Sequence, residues 1–265
     1  MARSALLNVM VAAATKAGRG LSRDFGELEN LQVSRKGPGD FVSAADKKAE
    51  KVIRQELEKA RPGYSFLMEE SGASVGSDDQ HRWIVDPLDG TTNFLHGVPI
   101  FAISIALERQ GQIVAGVVYN PVMDELYVAE RGGGAFLNDR RLRVAQRRDF
   151  DDCLIGMGLP HLGKAEHGRA LREMRQVMAN AAGVRRCGAA ALDLAWVASG
   201  RFDAFWEHGL NPWDVAAGML MVREAGGFVS DADGRDKIFE TGSVVAGNEA
   251  VHGALLSHLK AAAKA

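Results

Sequence analysis

Apolar positions recur along this chain in two rhythms. Between residues 4 and 25, Leu6, Leu7, Val9, Met10, Ala13 and Ala17 fall three or four positions apart, which predicts an amphipathic first helix. The same spacing returns in Ala45, Ala49, Val52, Ile53, Leu57 and Ala60, with Ser43 as a natural N-cap and Pro62-Gly63 as the stop. Residues 26–42, between these helices, read as irregular. Their basic, glycine-rich piece 34–40 is expected to form a mobile loop able to fold over a charged ligand. Residues 64–68 predict a short strand and 73–82 a polar loop. Trp83, Ile84 and Val85 then form a buried strand that Asp86 ends and Pro87 breaks.

Alternating runs follow at 101–108, 113–119, 125–129 and 134–137, with turn residues at Gln110-Gly111, Asn120-Pro121 and 131–133; this is the pattern of an antiparallel meander. Further on, strands at 154–157, 203–206, 227–230 and 243–246 are interleaved with helices at 164–182, 189–198, 214–225 and from 248. No internal repeat or low-complexity segment is visible. The mixture predicts layered α and β elements and not a simple doubly wound sheet.

Acids recur at the ends of these elements. In W-I-V-D-P-L-D-G-T-T-N-F (83–94), Asp86 and Asp89 leave a strand three positions apart, beside Gly90, Thr91 and Thr92. Oxygen clusters of this kind suit a hard divalent cation, Mg²⁺ foremost, and N–H groups at a helix start suit a phosphate. Plain turn chemistry also explains D-P and D-G pairs, but two acids at the mouth of a core strand are more than a surface turn requires. Glu69-Glu70-Ser71 follows the strand at 64–68. A solvated acid pair is the ordinary account, although consecutive strands are often neighbours and could share a site. Asp46 falls in a first helical turn, where an acid already complements the macrodipole. Asp214, after Asn211-Pro212-Trp213, opens a helix and serves as a cap without any further role.

Composition narrows the class. The 265 residues are 46% hydrophobic and 25% charged with net charge −2, typical of a soluble globular protein and giving no support to a basic nucleic-acid face. The length allows one large domain or two closely packed halves. Two cysteines, Cys153 and Cys187, make no disulfide framework and fit a reducing cytoplasm. Residues 5–15 after Arg3 look superficially like a secretory leader, but Asn8, Lys16 and Arg19 favour an amphipathic helix, and no apolar run reaches membrane-spanning length. The seven histidines show no H-x-x-x-H ligand spacing, which argues against zinc hydrolysis. Cys187 reads as a small buried residue, and Trp83, Trp196, Trp206 and Trp213 as core.

Taken together, E-E-S (69–71), D-P-L-D-G-T-T-N-F (86–94) and P-W-D-V-A-A-G (212–218) resemble in order and spacing the signatures of the inositol monophosphatase family, magnesium-dependent and lithium-sensitive phosphatases. Residues 185–194 and 197–210 are similar to its bacterial branch, and the resemblance runs from the first helix to the last. It implies a layered α-β-α-β-α sandwich, a single domain over 1–265 with halves of about 1–145 and 146–265, and a homodimer. It implies that Glu69, Asp86 and the carbonyl of Leu88 hold one Mg²⁺, that Asp86, Asp89 and Asp214 hold a second, and that a third, weaker ion binds near Glu69. Asp46 matches the family's aspartate beside the threonine of the central motif, Thr91, and Glu69 would act both as ligand and as a charge near the attacking water. Leu88, Asp89, Gly90, Thr91, Thr92 and Asp214 would meet the phosphate. Gly188, Ala189, Ala190 and Glu207 would line the polyol, with Arg185 nearby. In one departure, Ala189 stands where relatives carry Thr or Ser, removing a hydroxyl that would sharpen discrimination between alcohols.

The implied activity is hydrolysis of myo-inositol monophosphate to myo-inositol and phosphate by metal-activated water, in the cytoplasm. One alternative is another phosphatase of the same superfamily, acting on fructose bisphosphate, histidinol phosphate, a nucleotide 3′-phosphate or NADP. Dehalogenase-type phosphatases separate their two aspartates by one residue, whereas two separate Asp86 and Asp89. A third reading is a partner-binding role in an RNA or transcription complex, for which Arg140, Arg141, Arg143, Arg147 and Arg148 supply a local basic cluster; a solvated arginine face is its plainer account.

Overall fold

Ser4 opens the first helix by accepting the Leu7 N–H, and the capped helix α1 (Ala5–Phe25) turns Leu7, Met10, Ala13, Ala14, Ala17 and Leu21 inward. The computed structural model describes residues 3–27, 33–37, 40–160 and 166–264. Strands β1 (Val33–Gly37) and β2 (Asp40–Ser43) pair antiparallel. They replace the irregular, loop-like reading of 34–40, of which Pro38 and Gly39 lie outside the described residues. Ser43 then caps α2 (Ala44–Ala60) through a capping box with Asp46, as its spacing predicts.

The first large sheet has eight strands: β3 (Ser65–Met68), β4 (Gly72–Ser74), β5 (His81–Asp89), β6 (Ala102–Arg109), β7 (Gln112–Asn120), β8 (Glu125–Glu130), β9 (Gly134–Leu137) and β10 (Arg140–Arg141), in the order β10-β9-β8-β7-β6-β5-β3-β4. The meander from β5 to β10 is antiparallel throughout. Two local readings change. Residues 73–82 are not all loop, because Gly72–Ser74 folds back on β3 and β5 already begins at His81. Nor does Asp86 end its strand. Pairing with β6 runs to Asp86 opposite Ser104, breaks, and resumes at Asp89 opposite Ala102. Pro87 has no N–H to give the ladder, so the chain bulges there and continues. A short helix α3 (Thr91–Leu95) follows, entered through Gly90 at φ 92°.

The second sheet contains β11 (Leu154–Met157), β12 (Gly183–Arg185), β13 (Ala204–His208), β14 (Phe228–Ser230) and β15 (Ser243–Gly247), ordered β12-β11-β13-β15-β14. The remaining helices are α4 (His167–Met178), α5 (Ala190–Ala198), α6 (Pro212–Glu224), α7 (Ile238–Thr241) and α8 (Glu249–Ala262). Helix α4 is shorter than the predicted 164–182, whose first two positions lie outside the described residues. Strand β12 and helix α7 carried too few residues to produce a periodic signal.

Burial shows five layers. Helices α1 and α2 pack on one face of the first sheet through Met10, Ile53, Leu57, Trp83, Val85, Ile105 and Val117. Its other face meets α5 and α6, which also cover the second sheet: Ile84, Val118 and Tyr127 share a core with Leu192, Ala195, Met221, Phe205 and Ala246. Helices α4 and α8 close the far side against Ile155, Met157, Trp206 and Val245. The order is α-β-α-β-α, as the resemblance implied. Consecutive residues Trp83, Ile84 and Val85 point to alternate faces, and both faces are covered, which explains why the run is apolar without interruption. Among the described residues no helix is long and apolar enough to cross a membrane.

Candidate active site

The bulge in β5 delivers the first acids. Asp86 is buried, and its Oδ1 accepts the Leu88 N–H at 2.9 Å, so the carboxylate folds over the irregular step. Asp89 stands at the strand's end, where its Oδ2 accepts the Ala191 N–H at 2.7 Å from the first turn of α5. Gly90 cannot be replaced without collision: a Cβ there would lie 2.9 Å from the Ile100 carbonyl and 3.2 Å from the Ala189 Cβ. Thr91 begins α3, and its Oγ1 lies 3.0 Å from Asp46 Oδ1 and 3.1 Å from the Leu88 carbonyl. Asp46 arrives from the start of α2. Its second oxygen accepts from the Ser43 N–H (2.9 Å) and the Ser43 hydroxyl (2.5 Å). The cap that starts the helix thus also aims the carboxylate.

Glu69 follows β3, whose parallel pairing with β5 sets Met68 opposite Val85 and brings the Glu69 N–H to the Val85 carbonyl at 3.1 Å. Asp214 comes from the other side of the molecule, in the first turn of α6, where the Asn211 N–H donates to its Oδ2 at 2.7 Å. Glu69, Asp89, Thr91 and Asp214 line one cleft, while Asp86 and Asp46 are buried out of its lining, Asp46 bonded to Thr91. A cavity of about 430 Å³ is lined by Glu69, Asp89, Gly90, Thr91, Thr92 and Asp214, together with Arg169, Glu173, Glu207 and His208. It opens beyond the C-terminal ends of the parallel strands β11 and β13, where open α/β sheets place their ligands.

The electrostatics of the cleft are those of crowded acids. Burial drives Asp86 well above the ordinary carboxylate range, and the charges of Glu69, Asp89 and Asp214 push it further. Burial and then Asp214 do the same to Asp89, only partly offset by the Ala191 N–H. Burial raises Glu207 as well, followed by Asp193, Asp214 and Asp89. Asp46 is raised by burial, against the hydrogen bonds from Ser43 and Thr91. Carboxylates that disfavour one another's ionisation are stabilised by a divalent cation among them. Among the described residues no three acids, histidines or cysteines stand as a finished metal cage. The fit to a metal therefore rests on the donor set, which is all oxygen and suits a hard cation. Glu69, Asp86, the Leu88 carbonyl, Asp89 and Asp214 are the groups that would hold it.

The predicted polyol wall is present in part. Gly188 and Ala190 line the cavity, while Ala189 is buried behind them against Gly90. Glu207 lies flat on Gly158, where a Cβ would strike its carboxylate. Arg185 stands at the end of β12, exposed, with its Nη1 on the Val184 carbonyl at 3.0 Å; Arg186 lines the cavity instead. Sequence reasoning missed Asn93. Its amide donates to the carbonyls of Ile100 (2.7 Å) and Cys187 (2.8 Å), tying α3 to the segment before α5. It also missed Ala191, whose role is carried by a backbone N–H that no side-chain pattern advertises, and the set Arg169, Glu173 and His208. Cys187 is no poised nucleophile, since burial and then Asp193 push its thiol up to about 12.

The family model described as "Inositol monophosphatase family" matches residues 2–264. The chain is 71% identical over 260 residues to an inositol-1-monophosphatase of Mesorhizobium japonicum, covering 98% of each. It is 44% identical over 255 residues, 96% of each chain, to the Nus factor SuhB of Salmonella typhimurium. Among solved structures, the extragenic suppressor protein suhB of Bartonella henselae superposes with a TM-score of 0.95 at 63% identity, covering 97% of this chain and 99% of that one. A family match over nearly every residue, joined to a shared five-layer fold, leaves one conclusion: the chain belongs to the inositol monophosphatase family.

Proposed function

We propose that the protein hydrolyses the phosphate ester of myo-inositol monophosphate, releasing myo-inositol and inorganic phosphate. The family is one of metal-dependent phosphatases, and the finer assignment is Mg²⁺, two or three ions, held by Glu69, Asp86, the Leu88 carbonyl, Asp89 and Asp214. The observation that carries this reading is that Glu69, Asp89 and Asp214, from three separate stretches, line one cleft with Thr91, while the buried Asp86 feels the charge of all three and Asp46 accepts from Thr91.

Bound there, Mg²⁺ would supply charge neutralisation at the phosphoryl oxygens and a water of lowered pKa. The chain's own contribution is positioning and proton handling. Thr91 Oγ1 donates to Asp46 Oδ1, leaving its lone pairs to accept from the attacking water. Asp46, raised by burial above the ordinary carboxylate range, is suited to take up the proton so relayed. Water attacks phosphorus in line, the bond from phosphorus to the inositol oxygen breaks, and that oxygen takes a proton. Gly90, Thr91 and Thr92 line the cleft at the start of α3, where their N–H groups would meet the phosphate. Glu207, Gly188 and Ala190 offer the polyol its hydrogen-bonding edge.

The test is phosphate release from inositol 1-phosphate in Mg²⁺ and in EDTA, beside fructose bisphosphate, histidinol phosphate and NADP. Turnover that prefers the inositol ester and vanishes with EDTA is the expected result. Asp86→Asn should lower kcat by about a thousandfold or more with an unchanged circular dichroism spectrum. Full activity of that variant, or a preference for another ester, would overturn the assignment. The Salmonella relative's name leaves a second, partner-binding role open; a partner that this same inactive variant retains would support it. A cytoplasmic homodimer with lithium sensitivity completes the proposal.

A further inference from the structure

Helix α4 and strand β13 contribute Arg169, Glu173, Glu207 and His208 to the lining of the cavity. Successive side chains of β13 alternate, so Phe205 and Glu207 face α5 and α6 while Trp206 and His208 face α4. Glu173, on α4, waits there. It is buried, and its carboxylate accepts from three donors: Arg169 Nε at 2.8 Å, Trp206 Nε1 at 3.1 Å and His208 Nε2 at 3.0 Å. Burial alone would raise this acid, but His208 and Arg169 more than offset it and keep it below the ordinary carboxylate range. A buried carboxylate with all its capacity committed fixes the groups that bond to it.

The fixed group that matters is His208. Its Nε2 is spent on Glu173, which sets the ring's orientation. Its Nδ1 makes no hydrogen bond among the described residues, and the side chain is 22% exposed and lines the cavity beside Glu207. We propose that His208 is a specificity-determining residue for the leaving alcohol: its Nδ1 hydrogen-bonds a hydroxyl of the polyol, and Glu173 is the positioning residue that holds it there. The inference deepens the phosphatase reading and rests on it. The acids hold the phosphate end of the substrate and the histidine reads the other end. An ester whose alcohol carries no hydroxyl groups would gain nothing from His208.

The experiment compares His208→Leu, His208→Gln and Glu173→Gln with the wild type on inositol 1-phosphate and on p-nitrophenyl phosphate, in Mg²⁺. For His208→Leu, KM for inositol 1-phosphate should rise about fivefold or more, the worth of one hydrogen bond, with kcat and the p-nitrophenyl phosphate kinetics little changed. His208→Gln, which restores a polar atom, should recover part of the loss. Glu173→Gln should shift KM for inositol 1-phosphate in the same direction, with kcat little changed. Equal losses on both substrates, or no change on either, would overturn the inference. Absence of inositol 1-phosphate turnover in the wild type would instead overturn the phosphatase reading beneath it.

Discussion

Asp193 carries a carboxyl held out of water. It lies buried in α5, and burial lifts its pKa from 3.8 to about 7, against a hydrogen bond from the Cys187 thiol and the charge of Arg186. An acid raised by folding binds its proton more tightly in the native state. Its contribution to stability is complete below about 4, the unfolded value, and is lost as pH climbs through about 7, where folding must bury the charge. The melting temperature of the wild type in EDTA, measured against Asp193→Asn, should therefore fall steadily from pH 4 to pH 7; a constant difference would refute the assignment. Legibility at this scale was uneven. Asp46, Glu69, Asp86, Asp89 and Asp214 could be picked from their motifs, but nothing in the string of letters said that Ser43 would both cap α2 and aim Asp46, or that Asn93 would stitch α3 to Cys187. Such roles depend on partners distant in the chain, and Asn93 to Cys187 spans 94 positions.

Elements show a different balance. Long periodic segments were readable to within a residue or two: α1, the meander strands, and the starts of α5 and α8. Short pieces were not, because three or four residues carry no period, and the hairpin of β1 and β2 was hidden by glycine and basic residues that imitate a loop. Helices α5 and α6 are the central case. They are apolar on nearly every side, because they lie between two sheets and have no solvent face. Small residues let them approach. A Cβ on Gly218 would lie 2.5 Å from Leu194 Cβ, and one on Gly116 of β7 would lie 3.0 Å from Ala217 Cα. Gly218→Val should cost about 1–3 kcal/mol through overpacking, seen as a lower urea midpoint. Because α6 carries Asp214 and α5 carries the Ala191 N–H that holds Asp89, kcat should fall in the same variant. A destabilised variant with wild-type kcat would break this coupling of packing to site.

At the scale of the molecule the cleft is a seam. The first sheet supplies Glu69, Asp86 and Asp89, and the helix α6 beneath the second supplies Asp214. Ions bound across such a seam should stabilise the whole fold by mass action, about 2.7 kcal/mol at a hundred times Kd. Saturating Mg²⁺ should therefore raise the melting temperature of the wild type by several degrees and that of Asp214→Asn much less. An equal rise in both would remove Asp214 from the binding set. The sequence by itself determined the alternation of elements, the caps and breaks, and the three acidic motifs, because those follow from local periodicity and from residues within a few positions of one another. Only the tertiary structure decided that the motifs converge, that Arg186 and not Arg185 enters the cavity, and that Glu173 and His208 line it. Those outcomes depend on strand order, bulge register and the layer between the sheets, and long-range packing of that kind leaves no trace in any one stretch of chain.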